Sequence, residues 1–327
     1  MADQVLFGLR FDFRNPALAA TTMADRYTAA LDMAAWADQL GCVTIAISEH
    51  HGSADGYLPS PLPMLAAMAA RTTQVRFTVA ALIAPFYDPL RVAEDLLVLD
   101  HLSRGRIDVI VAAGYVPEEF AMFGVRSSDR ASKLIEVVET LQSAFTGEPF
   151  EYRGRTVGIT PGPYRPGGPS ISLGGSSDAA ARRAARMGTG FLPSIPEVWD
   201  AYRNELQVLG QPDPGPSPIG ANRTVALAKD PQCAWEEFGP YFLHETNAYG
   251  AWQAQTNVGS PYRMSSDISE LQASGSYAVL TPDDYIEELR AAPFPFAMLH
   301  PMCGGIPPAL AWSSLRLFET EVLPAFA

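Results

Sequence analysis

Short runs of β-branched and apolar residues alternate along this chain with longer stretches in which apolar positions recur every three or four residues. Residues 5–11 read as a strand. Residues 23–40 carry apolar side chains at helical spacing and stop at Gly41, where a helix commonly ends, and 43–48 (Val-Thr-Ile-Ala-Ile-Ser) read as a second, fully buried strand. The same reading places a helix at 61–71, a strand at 75–81, a helix at 90–102 with Pro89 in its first turn, and a strand at 107–112. A helix at 131–145 follows, and then a Gly- and Pro-rich excursion at 148–169 with short extended pieces. Strands five to eight are expected at 170–173, 189–192, 224–228 and 296–300. Helices are expected at 178–187, 197–209 and from Pro307-Pro308 to 322, with a Pro-rich linker at 211–218. Between strands seven and eight, a Gly/Ser/Asn-rich stretch at 247–275 reads as a mobile loop, and Thr281-Pro282-Asp283-Asp284 restarts a helix.

Strand and helix in alternation is the mark of βα units on a parallel sheet. Eight such units predict an α/β chain folded as a (β/α)8 TIM barrel, with insertions after strands 4 and 7 and residues 1–327 forming one domain. A doubly wound dinucleotide-binding sheet fits less well, because no Gly-x-Gly-x-x-Gly follows the first strand.

Composition narrows the partners. The formal charge of −13 on 327 residues opposes binding to nucleic acid or to an anionic membrane surface and favours a small, largely apolar or neutral ligand. Three cysteines, Cys42, Cys233 and Cys303, without CxxC spacing point to a reducing compartment rather than a disulfide framework. With no signal-like leader and no run of about 18 apolar residues, a cytoplasmic location is expected.

In a barrel the C-terminal ends of the strands share one mouth. Those ends are Asp12, Glu49-His50-His51, Ala80-Ala81, Gly114-Tyr115, Gly174-Gly175-Ser176-Ser177, Ser194 and His300. Neighbouring side chains on a strand point to opposite faces, so His50 and His51 are poorly placed to share a metal ion, and no metal is expected. A histidine oriented by a carboxylate such as Glu49 suits acid, base or hydrogen-bond-donor work. The turn Gly174 to Ser177 joins a strand to a helix, where backbone N–H groups and hydroxyls can hold a phosphate. The small side chains of Ala80 and Ala81 leave room for a flat ligand.

These residues resemble those of the luciferase-like flavin-dependent monooxygenases, which are TIM barrels. The likeness runs over nearly the whole chain. It is most specific at 88–106, ending in Leu99-Asp100-His101-Leu102-Ser103-Arg104-Gly105-Arg106, and continues at Glu49-His50-His51, at Glu119-Phe120-Ala121-Met122-Phe123-Gly124, at Gly174-Gly175-Ser176 and at Gly304-Gly305-Ile306-Pro307-Pro308. The resemblance implies reduced FMN supplied by a separate flavin reductase, O2 as co-substrate, and oxygenation of a small organic molecule. It implies catalytic roles for His50, with Glu49 and His51 beside it. It places the flavin ring over Ala80-Ala81, where the family often has a non-prolyl cis peptide, with Gly114 and Tyr115 nearby and the phosphate on Gly174, Gly175, Ser176 and Ser177. Related proteins often dimerise through helices near strands two and three, so a homodimer is expected. The chain departs from some members in having Ala112-Ala113-Gly114-Tyr115 where they place a phosphate-gripping arginine. Glu-His-His rather than Asp-His after strand two favours FMN over the deazaflavin coenzyme. The alternatives are a deazaflavin-dependent hydride transferase and a non-catalytic flavin-binding protein of the same fold. Phe11, Phe13, Tyr57, Phe86, Tyr115, Trp252 and Tyr262 are the candidates for lining a substrate pocket.

Overall fold

The structure, a computed structural model, describes residues 5–218, 223–256 and 262–326. Its strands are β1 (Leu6–Phe11), β2 (Thr44–Ile47), β3 (Arg76–Ile83), β4 (Ile107–Ala112), β5 (Phe150–Tyr152), β6 (Arg155–Val157), β7 (Ser170–Gly175), β8 (Gly190–Pro193), β9 (Thr224–Leu227), β10 (Tyr277–Leu280) and β11 (Phe296–Leu299). The helices are α1 (Met23–Gln39), α2 (Pro61–Ala69), α3 (Pro89–Ser103), α4 (Pro117–Met122), α5 (Arg130–Ala144), α6 (Asp178–Arg186), α7 (Trp199–Val208), α8 (Pro231–Ala254), α9 (Ile268–Ser274), α10 (Pro282–Ala291) and α11 (Pro308–Leu317).

Seven strands form one parallel sheet in the order β11-β1-β2-β3-β4-β7-β8, a half-barrel whose chain order follows its spatial order apart from β11 closing back on β1. β9 and β10 form a separate parallel pair, and β9 lies beside β11. β5 and β6 make an antiparallel hairpin apart from the main sheet, inside the 148–169 excursion.

Caps set the helix starts. Thr22 and Asp25 form a reciprocal capping box at α1, Asp88 accepts from Leu90 and Arg91 N–H ahead of Pro89, and Thr281 caps α10 ahead of Pro282. Outward-facing strand residues such as Phe7, Leu9, Ile45, Ile47, Phe77, Val79, Val109 and Val111 are buried beneath the helices and form the core. The inner face differs: Thr44, Ala46, Ser48, Thr78, Ala80, Ile110, Ala112 and Gly174 keep partial exposure. Inward positions of a filled barrel carry bulky branched side chains in layers, so the mostly small residues here leave open space along the inner face.

Two expectations fail. The stretch 247–275 is not one loop: 247–254 complete the 24-residue α8 and 268–274 form α9, while 257–261 lie outside the described residues. Apolar packing of Tyr249 and Phe242, both buried, outweighs the loop-like composition. A strand was also missed, because β10 is only four residues and falls between Ser276 and Thr281 inside what reads as a connection. Among the described residues no helix is long and apolar enough to cross a membrane.

Candidate functional site

The two histidines that follow β2 are held by two different carboxylates. His50 Nδ1 lies 2.8 Å from Glu119 Oε1 on α4, and the same oxygen accepts the backbone N–H of His51 at 2.8 Å. His51 Nε2 lies 2.7 Å from Glu49 Oε1, while Glu49 Oε2 accepts the N–H of Ile83 at 3.1 Å. Alternation along the strand is the cause, since it sends His50 and Glu49 to opposite sides. Glu49 therefore ties the end of β2 to the end of β3 and orients His51. The carboxylate that orients His50 is Glu119, 1% exposed, with Oε2 unpartnered. Burial raises the Glu49 carboxyl above its ordinary range, opposed by the His51 hydrogen bond.

An acceptor oxygen that already takes the His51 N–H puts the proton of the His50–Glu119 bond on Nδ1. That leaves His50 Nε2, which makes no hydrogen bond among the described residues, as the basic atom able to take a proton and return it.

The small residues at the strand ends meet. The peptide Ala80–Ala81 is cis, and the β3–β4 register shifts between Ala80 and Leu82. A Cβ placed on Gly174 would lie 3.2 Å from Ile110 Cγ2, 3.8 Å from Ala112 Cβ and 3.9 Å from Ala81 Cβ, so β3, β4 and β7 share a floor of small residues with Ile110 as its one larger side chain. Gly114 adopts φ +73°, and a Cβ there would press on Ile83 Cγ2 at 2.8 Å. Tyr115 next to it sets its ring edge-on to His50, with centroids 5.6 Å apart. Gly175 is required by packing, because its Cβ would fall 2.6 Å from Ala180 Cβ on α6. Ser177 caps α6 through the Ala180 N–H, and Ser176 is half-buried beside it.

Over this floor stands a cluster of rings. Trp252 of α8 faces His50 with centroids 4.3 Å apart, and Tyr57 and Tyr249 approach His50 edge-on. Their hydroxyls are 2.7 Å apart. Burial pushes the Tyr57 phenol up to about 12 and those of Tyr115 and Tyr249 higher still, so all three stay protonated. The fully buried Arg14 guanidinium sits 4.7 to 4.8 Å from the ring centroids of Tyr57, Tyr249 and Trp252. It pairs with Asp55 at 2.5 Å, and Asp55 also bonds His244 of α8 at 2.8 Å. Of the other proposed lining residues, Phe11 and Phe13 are core, Phe86 packs against His51 and Phe123, and Tyr262 stacks on Tyr249 at 4.2 Å. Sequence reading missed Glu119, Arg14 and Tyr249 as members of this group. Only Glu119 carried a signal, lying inside a motif already noted.

Below the rings, Glu245 of α8 accepts from Arg10 Nη2, Tyr277 OH and Cys303 Sγ, each at 2.8 Å. His300 lies beside it with Nδ1 3.4 Å away, and burial lowers its imidazole to about 4. Glu245, His300 and Cys303 bring ligand-type atoms within 4.8 Å of one another. The Arg10 cation already occupies the carboxylate side where a metal would sit. At the rim, half-buried Arg183 of α6 has its guanidinium pKa lowered by burial and by Arg130, the first residue of α5. Neither arginine has a carboxylate partner among the described residues.

A family profile described as luciferase-like monooxygenase matches residues 7–292. Among solved structures, the chain is similar to monooxygenase RslO1 from Streptomyces bottropensis, with 24% identity, TM-score 0.75 and coverage of 98% of this chain and 100% of that one. It is similar to the oxygenating constituent of 3,6-diketocamphane monooxygenase from Pseudomonas putida, solved with FMN, at 19% identity, TM-score 0.73 and coverage of 100% and 99%. An F420-dependent secondary alcohol dehydrogenase, solved with an F420-acetone adduct, aligns at 16% identity and TM-score 0.68 over 99% of both chains.

Proposed function

Because the chain belongs to the luciferase-like monooxygenase family, we propose that it binds a reduced flavin-type cofactor at the ends of its parallel strands and uses O2 to oxygenate a small organic substrate. Reduced FMN from a separate reductase is the proposed form. The observation that carries this reading is the convergence of Ala81, Ala112 and Gly174, with Ile110, into one floor of mostly small residues that begins on the strand paired with β2, which leads to His50.

The residues present fit a flavin. The floor of mostly small residues takes a flat ring, the Gly174 to Ser177 turn offers N–H and hydroxyl donors, and Arg183, on the helix that this turn starts, with Arg130 beside it, is the candidate source of the positive charge that 112–115 lack. A bound reduced flavin supplies the electrons and the site of oxygen activation. The chain's own work is positioning and proton handling. Glu119 holds His50 by Nδ1 and presents Nε2 for proton transfer at the reacting centre. Trp252, Tyr249 and Tyr57 keep water from it. Glu49 fixes His51 and the exit of β3, holding the floor in register with β2.

Anaerobic titration with reduced FMN and with reduced deazaflavin coenzyme, followed by oxygen uptake with a flavin reductase present, tests the proposal. Tighter binding of FMN together with oxygen uptake is the expected result. Tighter binding of the deazaflavin without oxygen uptake would replace oxygenation by hydride transfer. Tight flavin binding with neither oxygen nor substrate consumed would leave a binding protein without turnover.

A further inference from the structure

Rings enclose His50 on several sides. Trp252 lies against it with planes 31° apart at 4.3 Å, and Tyr57, Tyr115 and Tyr249 stand edge-on at 4.9, 5.6 and 5.9 Å. The Trp252 spacing is that of a stacked aromatic pair, so the face of His50 is shaped to receive a ring. Trp252 is only half-buried and lies in the last turn of α8, whereas Tyr57 and Tyr249 are 2% and 7% exposed. Tyr115 is half-buried as well but stands edge-on, so of the two the indole is the one that covers the face of His50 and is placed to give way.

The polar groups around the rings fix the rest. Arg14 is neutralised by Asp55, with Asp12 3.7 Å from its Nε, yet Nε and Nη2 have no hydrogen-bond partner among the described residues. Buried donors left unpaired are costly. A neutral acceptor oxygen satisfies them, while a second carboxylate would meet Asp12 and Asp55 and a protein of net charge −13. The three tyrosines offer O–H groups rather than charge.

We propose that the site selects planar, uncharged aromatic substrates bearing a carbonyl or phenolic oxygen, and that Trp252 determines this specificity by surrendering its place against His50 to the substrate's ring and covering the ring's outer face. The proposal rests on the reading that this mouth is the oxygenation site and adds the substrate class.

Calorimetric titration of the whole protein with 2-naphthol, 2-naphthoate and 2-decalol, three bicyclic probes that differ in charge or planarity, tests it. Wild type is expected to bind 2-naphthol roughly tenfold more tightly than either other probe, the size of one good aromatic pair. Trp252→Ala is expected to lose that preference and Trp252→Phe to keep most of it, with the thermal transition of both variants unchanged. Equal binding of the three probes, no measurable binding of any, or an undiminished preference in Trp252→Ala would overturn the proposal. Reduced-FMN affinity is measured on the same samples. A naphthol preference without flavin binding would sink the oxygenase reading and leave the aromatic site standing, whereas flavin binding without the preference would do the reverse.

Discussion

At the scale of single residues, the division of labour between Glu49 and Glu119 decides which histidine does what. His50→Gln is expected to lower turnover by about 10²–10⁴ with flavin affinity retained, the usual range for loss of a general acid or base. Glu119→Gln keeps the shape but loses the charge that fixes His50. It should cut kcat by about tenfold or more with little change in KM, measured by steady-state oxygen uptake. An equal fall in both parameters, or none, would remove Glu119 from its positioning role. Gly304 offers a test of packing: its φ is +57°, and an added Cβ would lie 2.1 Å from the Tyr241 carbonyl oxygen and 3.1 Å from Glu245 Cβ. Gly304→Ala should therefore destabilise by about 3 kcal/mol or more in denaturant unfolding. His50 was visible in the sequence because it ends a strand. Glu119 was not assigned a role because it lies 69 positions away and meets His50 only once α4 folds back over the mouth.

Among the elements, α8 joins most of the site together. It contributes Glu245 to the buried polar cluster, Tyr249 and Trp252 to the rings, and His244 to Asp55. Asp55 accepts from both Arg14 of the β1 exit and His244 of α8, which draws its carboxyl well below the ordinary range despite burial. Asp55→Asn removes the closer of the two carboxylates that face buried Arg14, leaving Asp12 at 3.7 Å from its Nε. The expected loss is about 3–5 kcal/mol of stability, with earlier proteolytic cleavage within α8, read by chemical unfolding and limited proteolysis. A change below about 1 kcal/mol would mean that Asp12 and the cation–π contacts suffice to hold Arg14. The parallel strands before residue 200 were readable because short apolar runs alternate with helical spacing, reinforced by caps at α1, α3 and α6. The stretch from 247 to 280 was not, although the helix restart at Thr281, the strand at 296–300 and the last helix were. Asn, Gly and Ser in 247–275 imitate a loop, while the buried aromatic face that makes 247–254 helical shows only when there is a core for it to meet.

For the molecule as a whole, the buried polar cluster beneath the mouth sets the response to acid. The imidazole of His300 falls from 6.5 unfolded to about 4 folded, so the unfolded chain binds the extra proton and stability drops as pH falls from 6.5 toward 4. The Glu245 carboxyl falls from 4.5 to about 2, so its contribution is present above 4.5 and lost below it. Thermal melts should show the midpoint falling in two stages on acidification, and His300→Gln should flatten the upper stage. A midpoint constant from pH 7 to 4 would contradict this. The parallel βα alternation and the family were apparent from ordered motifs, since each βα unit carries its own pattern, whereas the expected eight-stranded barrel is seen as a seven-stranded half-barrel with β9 and β10 as a separate pair. The ring cluster was legible only in part: Tyr57, Tyr115 and Trp252 were candidate lining residues, but Arg14 and Tyr249 were not, because the members come from the β1 exit, the 51–60 loop, the β4 exit and α8 and nothing local links them. All of it depends on one claim, that the floor formed by β3, β4 and β7 is where the flavin ring lies. Anaerobic equilibrium titration of wild type and Gly174→Val with reduced FMN tests this directly, because the added side chain would fill the space between Ala81, Ala112 and Ile110. Saturable binding by wild type and at least a tenfold loss in a variant with unchanged circular dichroism is the predicted result. No binding by wild type, or equal binding by a folded Gly174→Val, would contradict it.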